Sequence, residues 1–455
     1  MSRPAIRILN VETFFSPALS GGVFGFGAAA ATDLTLAHVR VTVEGTRGGV
    51  AEGWGAIILS WPWAFPDPGI EGATRDRLMR EMVDAFGRAL VSRGEWGHPL
   101  DHFLAMEPEL GSIAADTGRQ LGVSVPVPAL CAKVAYSPID AAIHDAYGML
   151  LGLNSFRTMT GEHMSWDLSR LLGPGFAGRY PSDFVRPQPV ARLPIAHTVG
   201  AFDPLTPGDI REGSISPLTG WIERDGVTDF KVKLRGQDLE WDIARLVDVY
   251  RVACETHAHA ARPLIFGDLN EQAPSRDYIV ELLDRLETDH PAVYRALDAL
   301  EQPMSRELDD NAPDLRDVST RVPVVLDEGL ASLEAIDTAR ARGWNGIALK
   351  TCKTQSLMML ALAKATEAGM HISVQDLSNP GIALLHSASL ASRLPVTRAM
   401  ESNANQYFPD ASAPEAAVFP ETFVAHEGRV ATGELTGPGL GYRIHEIERD
   451  LFAQV

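Results

Sequence analysis

Phe230-Lys231-Val232-Lys233-Leu234 and, further on, Leu264-Ile265-Phe266-Gly267-Asp268-Leu269-Asn270 decide how this chain is read. Both are apolar runs of strand length, and in both a polar residue recurs at every second position toward the C-terminal end. That period places Lys231 and Lys233 on one face of the first run, and Asp268 and Asn270 on one face of the second. If the apolar face meets helices, both lysines point into the interior of a closed sheet. Two ammonium groups side by side in such a place require anions nearby.

Working outward, the same texture continues on both sides. Strands are expected at residues 193–199, 229–234, 264–270, 299–301, 322–327, 346–350, 371–375 and 398–401, with amphipathic helical stretches at 239–255, 332–342 and 356–368 between them. This alternation predicts an α/β chain whose parallel sheet closes into a β/α barrel. The rival, an open doubly wound sheet, usually shows a glycine-rich phosphate loop after its first strand, and none is present.

A barrel takes about 250 residues, so a chain of 455 has room for a second domain. The expected division is a capping α+β domain over residues 1–136, the barrel over 137–406, and a C-terminal segment, 407–455, that returns to the cap. In the cap a hairpin is expected at 34–43 and 48–59, and a helix at 75–92, where Leu78, Met82, Phe86 and Leu90 recur at fourfold spacing. Another helix is expected to begin at Ser137-Pro138, with serine as N-cap and proline in the first turn. The Gly- and Ala-rich stretch 16–31, carrying Phe24 and Phe26, suits a mobile lid loop whose aromatics touch a small molecule.

Hydrophobic residues are 45% and charged residues 22% of the chain, an ordinary globular composition. The formal net charge of −19 argues against nucleic acid as a partner. Met1 to Phe15 lacks the apolar run of a secretion signal, and no stretch reaches transmembrane length, so a cytoplasmic protein without a membrane partner is expected. Cys131, Cys254 and Cys352 are far apart and show no zinc-like spacing.

The chemistry lies where charges close the apolar strands, at the end of the barrel that builds active sites. Beyond Asp268, one strand ends Ala299-Leu300-Glu301-Gln302-Pro303, stopped by its proline, and the next ends in Asp327-Glu328. Three carboxylates converging from successive strands repel one another unless a cation joins them. Hard oxygen donors with room for water suit Mg²⁺ better than zinc. Asp327 and Glu328 alternate in direction, so either could be the third ligand. Lys350, at the tip of the next strand, would face Lys231 and Lys233 across the mouth. Burial and neighbouring cations are expected to lower lysine pKa values toward the working range, so that one lysine serves as general base and another as general acid. Glu401, with Asn403 beyond it, would bind a substrate group or hold a lysine. A Schiff-base lyase, with Lys350 attacking a carbonyl, is the alternative that needs no metal.

Taken in order, Lys231-x-Lys233, Asp268-x-Asn270, Glu301-Gln-Pro303, Asp327-Glu328 and Lys350 resemble the enolase superfamily, in the muconate lactonizing branch of the mandelate racemase/muconate lactonizing enzyme family. Steps of 35, 33, 26 and 23 residues between Lys233, Asp268, Glu301, Asp327 and Lys350 each correspond to one βα unit. The run from Ile139 to Asp145 and the late Gly437-Pro-Gly-Leu-Gly441 are also similar to that family. The resemblance implies a modified (β/α)8, TIM-like barrel under an α+β cap built from both ends of the chain. It implies Mg²⁺ on Asp268, Glu301 and Asp327, with Lys233 and Lys350 as the acid/base pair. Lys231 would lie beside the substrate carboxylate or tune Lys233, and Asn270, Glu328, Glu401, Phe24 and Phe26 would support or touch the substrate. The implied reaction removes an α-proton from a small carboxylate substrate. Racemisation or epimerisation of an amino-acid derivative, or cycloisomerisation, would follow; dehydration of an acid sugar or hydroxy acid is the alternative. A homo-oligomer is expected by analogy. This chain departs from the family in three places. Lys350-Thr-Cys-Lys-Thr-Gln355 lacks the usual Gly pair, Glu401-Ser-Asn403 stands where dipeptide epimerases carry Asp-x-Asp, and Val374-Gln-Asp-Leu-Ser-Asn379 lacks the histidine of the racemase branch.

Overall fold

The computed structural model describes residues 3–26, 29–256, 262–309, 312–395 and 399–451, with the backbone alone for residues 19–26 and 29–33. The chain begins with an antiparallel sheet of β1 (Ile6–Phe26), β2 (Ala29–Gly45) and β3 (Val50–Ile58), in that spatial order. On β2, Val39, Val41 and Val43 are buried while Arg40 and Thr42 are half-buried, the alternation of a sheet covered on one face. Helix Gly72–Arg93 packs on this sheet and on the long helix Ala129–Leu151, and helix Pro99–Gln120 packs on both helices.

Residues 16–31, expected as a lid loop, are strand: where described, they form the far half of the β1–β2 ribbon, with Phe24 paired to Ala31 and Phe26 to Ala29. Small residues carry no strand signal of their own, but they allow extended backbone, and the ribbon satisfies their amides and carbonyls. The side chains of Phe24 and Phe26 lie outside the described residues.

The helix expected to start at Ser137-Pro138 instead runs unbroken from Ala129 to Leu151, with Pro138 inside it. Proline removes the amide that would have bonded the carbonyl four residues back. That carbonyl belongs to Val134, and the Ser137 hydroxyl donates to it at 2.8 Å. The serine read as a cap thus repairs the helix interior.

This helix joins cap to barrel. A Cβ at Gly53 would stand 2.1 Å from the Ala146 amide nitrogen, and one at Gly55 2.1 Å from the Pro138 carbonyl, so β3 lies directly on the helix backbone. Asp145 accepts the Trp54 amide of β3 at 2.9 Å and the Leu440 amide of the C-terminal segment at 2.6 Å. One turn earlier Asp140 accepts the amide and hydroxyl of Ser356, at the start of barrel helix Gln355–Glu367, at 2.8 and 2.7 Å. Burial pushes the Asp145 carboxyl up to about 7 and that of Asp140 to about 6. A folded-state value above the unfolded one means that Asp145 contributes stability fully present below about pH 4 and lost as pH rises through about 7. Its share is at most about 4 kcal/mol. Asp145→Asn should therefore flatten part of the fall in urea-unfolding stability between pH 5 and 7.5; an unchanged slope would count against this assignment.

Eight parallel strands follow: β4 (Arg192–Val199), β5 (Asp229–Lys233), β6 (Leu264–Asp268), β7 (Leu297–Glu301), β8 (Val324–Leu326), β9 (Gly346–Leu349), β10 (His371–Val374) and β11 (Met400–Glu401). They are neighbours in chain order from β4 to β10, and β11 returns to the free edge of β4, curling the sheet into a modified β/α barrel. Among the described residues no hydrogen-bonded pair joins β10 to β11, which leaves a seam. Near the C-terminus β12 (Arg429–Ala431) pairs antiparallel with β4. β6 and β8 are shorter than expected, while β7 begins two residues earlier than expected and ends at Glu301. After β6, Asn270 and Glu271 take φ of 40° and 71°; after β7, Gln302 takes 33°.

Candidate active site

Strand register lines up the charges. Lys233 of β5 pairs with Asp268 of β6, which pairs with Glu301 of β7. Glu301 pairs with Val325, and Asp327 follows two residues later, just beyond β8. Lys350 stands one residue past β9, and Glu401 ends β11. All are buried. β5 and β9 are four strands apart, so Lys233 and Lys350 enter from opposite sides of the mouth. They line a common pocket with Trp63, Lys231, Asp376 and Glu401.

Within this row, cations and anions alternate. The Lys231 ammonium reaches Glu301 at 2.9 Å, Asp268 at 3.1 Å, Glu401 at 3.1 Å and the Gln375 carbonyl at 2.9 Å. Lys233 donates to Asp268 at 2.5 Å. Lys350 donates to Asp327 at 2.6 Å and lies 3.8 Å from Glu301. Glu401 also accepts the Thr198 hydroxyl at 2.7 Å. The amide of Asn270 donates to Asp268 and its side chain to Glu328, both at 2.9 Å. Glu328 accepts the Trp63 indole N–H of the cap at 3.0 Å.

The pKa values of Lys231 and Lys350 move opposite to expectation. Burial alone would lower Lys231, but Glu301, Glu401 and Asp268 outweigh it and hold the ammonium well above its usual range. Lys350 is raised as well: Asp327 overcomes the opposing burial. Burial and neighbouring lysines act to lower an ammonium pKa, but the carboxylates around Lys231 and Lys350 outweigh them. The acids divide. Asp327 and Asp268 are held low by their lysines against burial, and Glu301 is pushed well up by burial and by Asp268. Burial, with Asp327 beside it, pushes Glu328 up to about 7.

Three participants were not singled out from sequence. Lys353, completely buried, donates to the Asp327 carbonyl at 2.6 Å, to its carboxylate at 2.8 Å and to the Ala348 carbonyl at 3.3 Å. It closes a 3-10 turn, Thr351–Lys353, whose three-residue period returns it to the side of Lys350. That spacing was the signal available. Trp63 comes from the cap, and the Lys350 ammonium lies 4.8 Å from its ring centroid. Gln375 continues the inward face of β10 and donates to Glu301 at 2.5 Å.

Among the described residues no three His, Cys, Asp or Glu side chains are arranged to hold a metal ion outright. Ammonium groups stand between the carboxylates instead. The donor set nevertheless fits a hard divalent cation. Asp268, Glu301 and Asp327 present buried carboxylates side by side from three successive strand ends. Two neighbouring buried oxygens, Glu328 Oε2 and Asn270 Oδ1, have no hydrogen-bond partner.

The family described as enolase C-terminal domain-like matches residues 217–448. No curated protein sequence matches the chain. Solved structures match along nearly the whole length. The L-Ala-D/L-Glu epimerase of Bacillus subtilis is 16% identical, with TM-score 0.63 over 96% of this chain and 98% of that one. The muconate lactonizing enzyme of Pseudomonas fluorescens is 20% identical, with TM-score 0.60 over 96% of each chain. The dipeptide epimerase of Enterococcus faecalis, crystallised with Mg and L-Leu-L-Tyr, is 17% identical, with TM-score 0.60 over 96% of this chain and 99% of that one. At these identities the likeness establishes the fold.

Proposed function

The chain belongs to the enolase superfamily, through its enolase C-terminal domain-like region, and on that premise we propose that it is a Mg²⁺-dependent isomerase that removes the α-proton of a small carboxylate substrate. Asp268, Glu301 and Asp327 would hold the ion. When bound, Mg²⁺ supplies Lewis-acid stabilisation of the negative charge that gathers on the substrate carboxylate as its α-proton leaves.

The observation that carries this reading is the pair of lysines entering one pocket from opposite strands. A proton taken on one face can be returned on the other only by a second group placed across the substrate. Lys350, kept as an ammonium by Asp327, supplies a proton on its side; Lys233 takes one on the other, and the roles exchange for the opposite stereoisomer. Lys231, locked by three carboxylates, positions Asp268 and Glu301 and adds positive charge beneath the substrate carboxylate. Asn270 and Glu328 steady the rim and tie it to Trp63. Two opposed lysines favour racemisation or epimerisation over cycloisomerisation and dehydration, which share the first step.

The Schiff-base alternative has Lys350 attack a carbonyl and needs no metal, so metal binding and covalent trapping separate the two readings. Calorimetric titration should show one Mg²⁺ per chain, and borohydride in the presence of pooled ketones should leave Lys350 unmodified. A reduced adduct on Lys350, with no heat of Mg²⁺ binding, would overturn the proposal.

A further inference from the structure

Barrels of this kind are filled along their axis by layers of bulky side chains. Here the axial filling is sparse: Ala299, Val325 and Ala348, with Phe266 against them, form a small cluster separate from the main core. β10 adds a polar ladder instead of aliphatic side chains. Its period of two points His371, Ser373 and Gln375 the same way. Gln375 donates to Ser373 at 3.2 Å and accepts from Lys231 at 2.9 Å, while His371 lies 3.8 Å from Asp298.

His371, Ser373 and Gln375, with Phe266, border a cavity of about 50 Å³. At one end it is lined by Asp229 and Leu264, the first residues of their strands, and by Asp298. Leu264 is 39% exposed. At the other end it reaches Lys231, which is 2% exposed, with Gln375 and Glu401. The cavity therefore joins the N-terminal face of the barrel to the underside of the pocket at the opposite, C-terminal face.

We propose that this cavity is a water-filled inlet serving the floor of the active site from behind. It has room for a water or two, and among the apolar Phe230, Ile265 and Phe266 the side chains of Asp229, Asp298, His371, Ser373 and Gln375 offer polar partners. A substrate entering the mouth must displace the water beneath it, and the mouth is then blocked. The axial route lets that water leave and return while the substrate is seated. This inference concerns solvent access alone and does not depend on which reaction the site performs.

The test uses a small thiol reagent on the full-length protein. Ser373→Cys places a thiol midway along the inlet, and Ala196→Cys places one on β4 in the same lining. The chain carries its own standards, since Cys254 is exposed and Cys352 buried. Labelling by methyl methanethiosulfonate, followed by peptide mass spectrometry, should modify at least one new thiol about tenfold or more faster than Cys352. Adding Ala399→Phe, at the N-terminal rim, should slow that labelling by about tenfold. Circular dichroism checks the fold of each variant. Labelling of both folded variants at the Cys352 rate would overturn the inlet. So would labelling that Ala399→Phe leaves within about twofold, because the reagent would then enter by another route.

Discussion

Lys350→Met is expected to lower α-proton exchange by about 10³-fold while leaving the protein folded. The Lys350 ammonium is the proton donor on one face of the substrate, and no other lysine stands on that side with free access. Lys353 is nearby but completely buried, its ammonium engaged by Asp327 and the Ala348 carbonyl. Its position also limits the structural damage in Lys350→Met, because Asp327 keeps a cationic partner at 2.8 Å. Lys353→Met should reverse the pattern. Removing one member of a buried pair with additional hydrogen bonds costs about 3–5 kcal/mol, so the main loss there is stability. Exchange kinetics and urea unfolding on both variants separate the roles. A Lys353→Met protein as stable as wild type, or a Lys350→Met protein with undiminished exchange, would contradict them.

Asp268→Asn is expected to have the largest effect of any single carboxylate substitution. Asp268 accepts Lys233 at 2.5 Å and lies 3.1 Å from Lys231, and its other oxygen takes the Asn270 amide. Among the described residues Lys233 has no second ion-pair partner within 4 Å. The substitution therefore strands one buried ammonium and weakens another, at about 3–5 kcal/mol. It also takes a charged oxygen from the proposed Mg²⁺ site. Loss of a supporting contact lowers metal affinity 10–100-fold, so loss of a ligand should lower it by at least about 100-fold. Calorimetry with Mg²⁺, or with Mn²⁺ followed by electron paramagnetic resonance, would measure this. Equal affinity in Asp268→Asn would remove Asp268 from the site.

The barrel was legible because each of its strands is a short apolar run, and most are closed by a charge. The position of that charge also announced which end carries the chemistry. Lys231, Lys233, Asp268, Glu301, Asp327, Lys350 and Glu401 come together as one network for this reason. What was missed follows other rules. Lys353 returns to the site by the three-residue period of a 3-10 turn, outside the alternation that marked the strands. Trp63 belongs to the cap, and nothing local to Ser60-Trp-Pro-Trp63 says which barrel residue it will meet. The β1–β2 ribbon was hidden because small residues carry almost no strand signal, and the pairing itself holds them extended. Ser137-Pro138 was misread because a cap and a mid-helix repair use the same two residues. The direction of the lysine shifts needed the number of carboxylates around each ammonium, a property of the assembled barrel.

The most direct test of the central claim is proton NMR of pooled N-acyl amino acids, dipeptides, betaines and hydroxy acids incubated with the protein in D₂O. With Mg²⁺ present, at least one compound should lose its α-proton signal, and EDTA or the Lys233→Met and Lys350→Met substitutions should stop the loss. Exchange that continues in EDTA, or that survives removal of both lysines, would contradict the account.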